Sequence, residues 1–163
     1  MATPAIDSQV RLRPGDSSDL EEVMEVMDAA FGSRFGEAWT RSQCAGILPM
    51  AGVCLVIARD PANGRVIGFS LMRTVADESE LLLLAVLPTH HRRGIGARLL
   101  DDFMQRAGDE SVVRVHLEVR DGNPAVEMYR RAGFRAVGRR RNYYRAPDGA
   151  RFDALTLARE LYS

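Results

Sequence analysis

A basic, glycine-bearing loop is the first stretch of this sequence whose residue types could do chemistry. Arg92 and Arg93 stand directly before Gly94-Ile95-Gly96, and an amphipathic run follows them. Glycines let the backbone approach a ligand closely, and the N–H groups at the start of a helix attract anions. Arginine side chains add charge that suits phosphate. The stretch predicts a site for a diphosphate-bearing ligand, with an ordinary glycine-bearing helix start as the alternative.

Two common nucleotide-binding motifs do not fit this loop. A Walker A loop ends in Gly-Lys followed by Ser or Thr, and the sequence contains no lysine. A dinucleotide-binding fingerprint needs a third glycine, whereas Gly94-Ile95-Gly96 continues as Ala97-Arg98-Leu99. The diphosphate ligand therefore belongs to another class.

A carboxylate and a tyrosine form the second chemical signal. In the predicted strand that contains Glu118, apolar residues alternate with polar ones, so Glu118 points away from the apolar face. Tyr129 follows on a predicted helix that Asn123 caps and Gly133 ends. A carboxylate in a cleft can accept a proton and a phenol can donate one. A solvated strand glutamate is the alternative for Glu118.

These residues resemble those of the GCN5-related N-acetyltransferases. The run His91-Arg92-Arg93-Gly94-Ile95-Gly96 looks like that family's acetyl-CoA pyrophosphate loop, although the family usually has Gln or Arg where His91 stands. The resemblance implies that Leu84-Ala85-Val86 offer backbone hydrogen bonds to the pantetheine arm. It also implies that the amides of Arg92 to Ala97 hold the pyrophosphate.

The resemblance extends to one branch of the family, the RimI proteins, which acetylate the N-terminal α-amine of a small-subunit ribosomal protein. It is carried by Leu117-Glu118-Val119-Arg120, Asn123, Met128-Tyr129, Gly133-Phe134 and Arg140-Arg141-Asn142-Tyr143-Tyr144, and by Asp153-Ala154. It implies that Glu118 is the general base, Tyr129 the general acid and Asn123 a contact to acetyl-CoA. The segment from Asn123 to Tyr129 is one residue shorter than in those proteins, which affects the Asn123 assignment.

The chemistry of amide formation agrees with these roles. An N-terminal ammonium, whose pKa is about 7.7–8.0, must lose a proton before its nitrogen attacks a thioester. A carboxylate can accept that proton directly or through water, and a tyrosine can donate to the leaving thiolate. Direct attack needs no covalent enzyme intermediate, so neither Cys44 nor Cys54 is required.

Aromatic residues are candidates for the acceptor side of the site. Trp39 lies in a glycine-bearing aromatic segment between two predicted helices, and its alternative role is to cap the core. Tyr143 and Tyr144 lie on a late predicted hairpin, which the resemblance places across the peptide groove. The neighbouring arginines, Arg139 to Arg141, could contact ribosomal RNA, but a solvated face is the preferred interpretation.

Three functions remain to be separated. The preferred one is an acetyl-CoA-dependent N-acetyltransferase acting on the N-terminal α-amine, expected to be alanine, of the eighteenth small-subunit ribosomal protein. The first alternative is an acetyltransferase for a lysine side chain or a small-molecule amine. The second is an acetyl-CoA sensor without catalysis, which the presence of both Glu118 and Tyr129 disfavours.

Capping and turn residues, together with the periodicity of apolar residues, predict the helices and strands that position these residues. Strands are predicted at 10–13, 53–59, 65–75, 80–87, 112–120, 134–144 and 151–161, and helices at 20–31, 37–48, 94–107 and 124–132. The order predicts an α/β fold with a mixed central sheet of about seven strands and about four helices. We expect residues 1–163 to form one GNAT-like domain, with a flexible N-terminus at residues 1–8.

Composition limits the remaining possibilities. A hydrophobic fraction of 46% in 163 residues suffices for one core, and no apolar run is long enough to cross a membrane. A formal net charge of zero disfavours direct nucleic-acid binding. Two cysteines without metal-ligand spacing predict reduced thiols and no metal. We expect a cytoplasmic monomer or weak dimer whose partner is the N-terminal peptide of a ribosomal protein.

Overall fold

A computed structural model describes residues 10–161 of the chain, so the flexible N-terminus expected at residues 1–8 lies outside the described residues. The strands are β1 (Arg11–Gly15), β2 (Val53–Arg59), β3 (Val66–Val75), β4 (Glu78–Val86), β5 (Arg114–Arg120), β6 (Arg135–Arg145) and β7 (Arg151–Glu160). The α-helices are α1 (Leu20–Phe31), α2 (Arg41–Ile47), α3 (Ile95–Asp109) and α4 (Ala125–Arg131), and 3-10 turns occupy Ser17–Asp19 and Pro88–His90.

Seven strands form one mixed sheet in the order β1-β2-β3-β4-β5-β7-β6. Only β4 and β5 pair in parallel within the described residues, and α3 connects them. The remaining pairs are antiparallel and include three hairpins, β2–β3, β3–β4 and β6–β7. The predicted α/β fold, with a mixed sheet of about seven strands and four helices, is confirmed.

Capping chemistry decides where the first two helices begin. The Asp16 side chain accepts from the Ser18 amide in the turn that leads into α1, which starts at the predicted residue. The prediction that α2 starts at residue 37 is wrong, because Thr40 and Gln43 form a reciprocal capping box that starts it at Arg41. Residues 32–40 therefore form a loop, which we call the 32–40 loop.

The sheet opens between its two parallel strands. Pairing of β4 with β5 runs from Glu78 and Arg114 as far as Leu81 and Leu117, and then stops although both strands continue. At the same point β4 carries an extra residue, Leu82, relative to β3. A bulge bends its strand and increases the local twist, which turns β4 away from its neighbour. The result is a cleft between the separating ends of the two strands.

Two hydrophobic clusters hold the walls of this cleft. One joins α1 and α2 to β2, β3 and β4 and to the first turn of α3, while the other joins the rest of α3 to β5, α4 and β7. Phe103 and Leu99 of α3 are fully buried, one in each cluster. No helix among residues 10–161 has the length and apolar character needed to span a bilayer.

Candidate active site

The cleft between β4 and β5 has a volume of about 110 Å³ and is lined by strands, helices and the 32–40 loop. Of the residues predicted to act, it brings together Trp39, Leu84, Glu118, Asn123, Tyr129, Tyr143 and Tyr144. Ala85 and Val86 are buried where β4 ends and do not line it.

Glu118 lies on β5 just beyond the last residue paired with β4, and its side chain is only 10% exposed. Thr156, its partner in the register with β7, donates its hydroxyl to Oε2 of Glu118 at 2.7 Å. Arg140 of β6 donates Nε to Oε1 at 2.8 Å. The carboxylate is therefore held in place and faces the cleft, as the strand alternation predicted.

Tyr129 comes from the middle of α4 and is 6% exposed, with its ring edge-on to Phe134 at 6.0 Å between centroids. Burial, followed by the negative charge of Glu37, raises the pKa of Tyr129 well above its usual value. The hydroxyl therefore stays protonated at neutral pH and can donate a hydrogen bond. Gly133, with φ of 93°, ends the chain segment that carries it, as predicted.

Glu37 is a cleft residue that sequence reasoning missed. Its side chain is 9% exposed, and its Oε1 lies 3.3 Å from Nε of the equally buried Arg120. Asn123 donates its side-chain amide to Oε2 of Glu37 at 2.9 Å, and the Arg120 guanidinium stacks 3.6 Å from the centroid of the Phe35 ring. These contacts attach the 32–40 loop to the turn between β5 and α4.

Both polar atoms of the Asn123 side chain make hydrogen bonds within the protein. Besides its bond to Glu37, its side-chain oxygen accepts the amide of Ala125 at 2.8 Å and so caps α4, which begins there, one residue after Pro124. The capping role predicted for Asn123 is present, whereas its contact to acetyl-CoA stays a prediction.

Glu80 is a second carboxylate that sequence reasoning missed. It is half-buried on β4, lines the cleft with Glu118, and is register partner of His116. Burial raises the pKa of Glu80, His116 lowers it and Glu118 raises it. Within residues 10–161 no side chain makes a hydrogen bond or ion pair with Glu80, so it is electrostatically coupled to its neighbours without a direct partner.

Tyr143 and Tyr144 reach the cleft from an irregular segment of β6. Between Arg140 and Tyr144 the strand has extra residues relative to β7, with Asn142 at φ of 53° and its amide donating to Asp153 at 2.9 Å. The two tyrosine rings pack edge-on at 5.0 Å. Burial raises the pKa of both phenols, so both hydroxyls remain protonated.

The predicted phosphate loop lies at the N-terminus of α3. Arg92 and Gly94 both have left-handed backbones, with φ of 64° and 78°, a geometry that turns successive N–H groups into one concavity. The His91 ring lies 2.8 Å from the carbonyl of Val86, which ties the loop to the end of β4. Arg93, Ile95 and Ala97 complete the predicted segment, and Arg98 is directed to the Val10 carbonyl at 2.6 Å.

The loop is in contact with both walls of the cleft through Gly96. A Cβ there would stand 3.3 Å from the sulfur of Met128 and 3.8 Å from side-chain carbons of Leu84 and Val86. Met128 precedes Tyr129, so the loop, the end of β4 and the tyrosine helix form one continuous surface. The two cysteines are elsewhere, and burial raises the pKa of both thiols.

Residues 20–134 match the model of the acetyltransferase (GNAT) family, which is more than half of the chain. The chain belongs to the GNAT family. The predicted phosphate loop, β4, β5 and α4 all lie within the matched residues.

Relatives within the GNAT family agree in sequence and in fold. The chain is 38% identical over 96 residues to the ribosomal protein bS18-alanine N-acetyltransferase of Haemophilus influenzae, covering 59% of this chain and 66% of that protein. It is 39% identical over 104 residues to the N-alpha-acetyltransferase RimI of Mycobacterium tuberculosis, covering 61% and 62%. The matched segments thus span less than two thirds of these relatives.

The crystal structure of the ribosomal-protein-S18-alanine N-acetyltransferase from Escherichia coli superposes with a TM-score of 0.84 at 26% identity. The superposition covers 94% of this chain and 95% of that one. The GNAT fold is therefore shared over nearly the whole chain.

Proposed function

We propose that the protein transfers the acetyl group of acetyl-CoA to an N-terminal α-amine, that of the bS18 ribosomal protein with alanine as the first residue. The observation that carries the proposal is the opening of the sheet between β4 and β5, because Glu118 and Tyr129 both line the cleft that it forms beside the predicted phosphate loop. The names of the relatives at 38% and 39% identity support the acceptor.

The cosubstrate fits the surface that the loop, β4 and α4 form. The N–H groups of Arg92 to Ala97 would hold the pyrophosphate at the start of α3, where the helix dipole favours negative charge. Beyond Leu81, no strand within residues 10–161 pairs with β4 on its β5 side, so backbone groups of Leu84, Ala85 and Val86 can bond the pantetheine arm. Asn123 would act by capping α4.

The acceptor would enter between the 32–40 loop and the end of β6. Trp39 lines the cleft from the loop, and Tyr143 and Tyr144 line it from β6. A Cβ on Gly36 would overlap the carbonyl of Arg145, so the loop and the strand are in direct contact beside this entrance. An extended N-terminal peptide would lie in the groove with its first residue toward Glu118.

The reaction balances without a covalent enzyme intermediate. The Glu118 carboxylate takes one proton from the ammonium, and the neutral nitrogen attacks the thioester carbonyl carbon. A C–N bond forms, the C–S bond breaks, and the nitrogen loses a second proton as the amide forms. Tyr129 donates to the leaving sulfur, and the products are the acetylated peptide, coenzyme A and one proton.

The test is thiol release from acetyl-CoA with three acceptors: a peptide beginning with alanine, the same peptide with a blocked N-terminus and one internal lysine, and a small primary amine. We expect release with the free α-amine alone. The protein itself contains no lysine, so acetyl transfer to an ε-amine of its own cannot contribute to the thiol that is measured. Release with the lysine peptide or small amine, and not the first peptide, would refute the proposed acceptor. Acetyl-CoA binding without release would refute catalysis.

A further inference from the structure

Arg140 occupies the oxygen of Glu118 that an incoming amine would need. Its Nε donates to Oε1 at 2.8 Å, while its side chain is 61% exposed and its guanidinium lies 5.7 Å from the ring centroid of Tyr143. The arginine thus reaches from the surface of β6 over β7 to the carboxylate at the edge of the cleft. The Glu118 side chain is 10% exposed, and on the β6 side it is covered by Arg140.

The two hydrogen-bond partners of Glu118 differ in how firmly they are held. Thr156 stands directly opposite Glu118 in the β5–β7 register, so its hydroxyl is fixed by the sheet. Arg140 is on the edge strand at the start of its irregular segment, and its long side chain is mostly in water. An ion pair of which one partner is this exposed contributes little to stability, so another cation can replace the guanidinium at small cost.

The charges around the cleft favour a cation beside Glu118, because Arg73 and His116, the other cationic groups in the neighbourhood, act on Glu80. Glu80 and Glu118 both line it, and Glu80 has no hydrogen bond or ion pair within residues 10–161. If the guanidinium left and nothing replaced it, two carboxylates would face one partly desolvated space, which is unfavourable. Buried Arg120 does not supply that charge, because it is paired with Glu37.

We propose that Arg140 is a displaceable counter-ion, and that the acceptor's α-ammonium takes its place on Glu118. The inference rests on the proposed function and adds how the acceptor is recognised. The cleft admits the amine in its protonated form by exchanging one cation for another, and deprotonation follows only when the ammonium is in contact with Glu118. Arg140 is a positioning residue that orients the carboxylate while the cleft is empty.

Two peptides that differ only at the first residue test the exchange. One begins with alanine and carries an ammonium, and the other begins with a propionyl group, which is neutral and has nearly the same shape. Their affinities are measured by calorimetry with coenzyme A present, for the wild type, Arg140→Gln, Arg140→Lys and the matched control Arg141→Gln. Arg141 is the adjacent exposed arginine on the same strand.

Arg140→Gln removes the competing cation, so we expect it to tighten binding of the alanyl peptide about threefold to fivefold, the range open to an exposed pair. Binding of the propionyl peptide should not change. Arg140→Lys should stay close to the wild type, and Arg141→Gln should shift both peptides by the same factor. Weaker alanyl-peptide binding in Arg140→Gln, or an equal change for both peptides, would overturn the exchange.

Failure of this inference is distinguishable from failure of the proposed function. If the wild type acetylates the alanyl peptide and Arg140→Gln leaves the ratio of the two affinities unchanged, only the exchange is wrong. If the wild type releases no thiol with the alanyl peptide, the proposed acceptor is wrong.

Discussion

The buried pair of Glu37 and Arg120 allows a prediction whose size follows from the structure. Removing one partner of a buried ion pair usually costs about 3–5 kcal/mol, because a desolvated charge is left uncompensated. Glu37→Gln leaves Arg120 in that position at about 10% side-chain exposure. The new amide oxygen can still accept from Asn123, and stacking on Phe35 remains. We therefore expect a cost below this range, about 2–3 kcal/mol.

For a domain of this size, each kcal/mol lowers the Tm by about 2–4 °C, so Glu37→Gln should melt about 4–12 °C below the wild type. Urea denaturation followed by circular dichroism measures the free energy of unfolding, and Glu37→Gln combined with Arg120→Met closes a double-mutant cycle. The double variant should be more stable than the sum of the single effects by at least about 1 kcal/mol.

An exposed pair provides the matched control. Arg41 and Glu21 are 61% and 72% exposed, so Arg41→Gln should change the free energy of unfolding by less than about 0.5 kcal/mol. The reasoning fails if Glu37→Gln is as stable as this control, or if the effects of Glu37→Gln and Arg120→Met simply add.

Three further predictions concern catalysis, loop packing and acid stability. Glu118→Gln and Tyr129→Phe should each lower kcat about 100-fold or more while calorimetry finds acetyl-CoA binding unchanged; unaltered kcat in both would reject their roles. Gly36→Ala should lower the melting temperature more than Gly64→Ala. Both glycines have left-handed backbones, but only a Cβ at Gly36 would overlap a backbone carbonyl, that of Arg145 on β6. Equal melting temperatures would contradict this. Hydrogen bonds from the Asn142 amide and the Arg139 guanidinium hold the pKa of Asp153 below its usual value. The stabilisation from Asp153 is therefore complete above about pH 4 and is lost as the pH falls through its folded-state pKa. The difference in unfolding free energy between the wild type and Asp153→Asn should shrink on acidification.

Local signals explain which elements could be predicted from the sequence. Helix α1 and strand β2 have the predicted bounds, because a capping aspartate, glycines and a turn punctuate the chain around them. The start of α2 was missed because the Thr40–Gln43 capping box outweighs the apolar spacing of the preceding residues. Strand alternation directs Glu118 away from the apolar face, and the resemblance to the RimI proteins singles out Tyr129; the structure places both in the cleft.

The residues that sequence reasoning missed depend on contacts between distant segments. Glu37 matters only because the 32–40 loop folds against Arg120 and Asn123, more than eighty positions away, and no local pattern announces that contact. Glu80 stands at the start of the predicted strand at residues 80–87, and nothing in that apolar run indicates that its side chain lines a cleft. The irregular segment around Asn142 lacks hydrophobic alternation, so its register could not be read from an arginine-rich strand.

The short β4–β5 ladder makes the sheet two subassemblies joined at a seam. Only Glu78 to Leu81 and Arg114 to Leu117 are paired across it, so little backbone hydrogen bonding couples β1–β4 to β5–β7. A ligand arm that hydrogen-bonds along the unpaired edge of β4 would take the place of the strand-to-strand hydrogen bonds that are absent beyond Leu81. We therefore expect occupancy to slow amide hydrogen exchange on both sides of the seam at once, with residues 82–86 and 118–120 protected together.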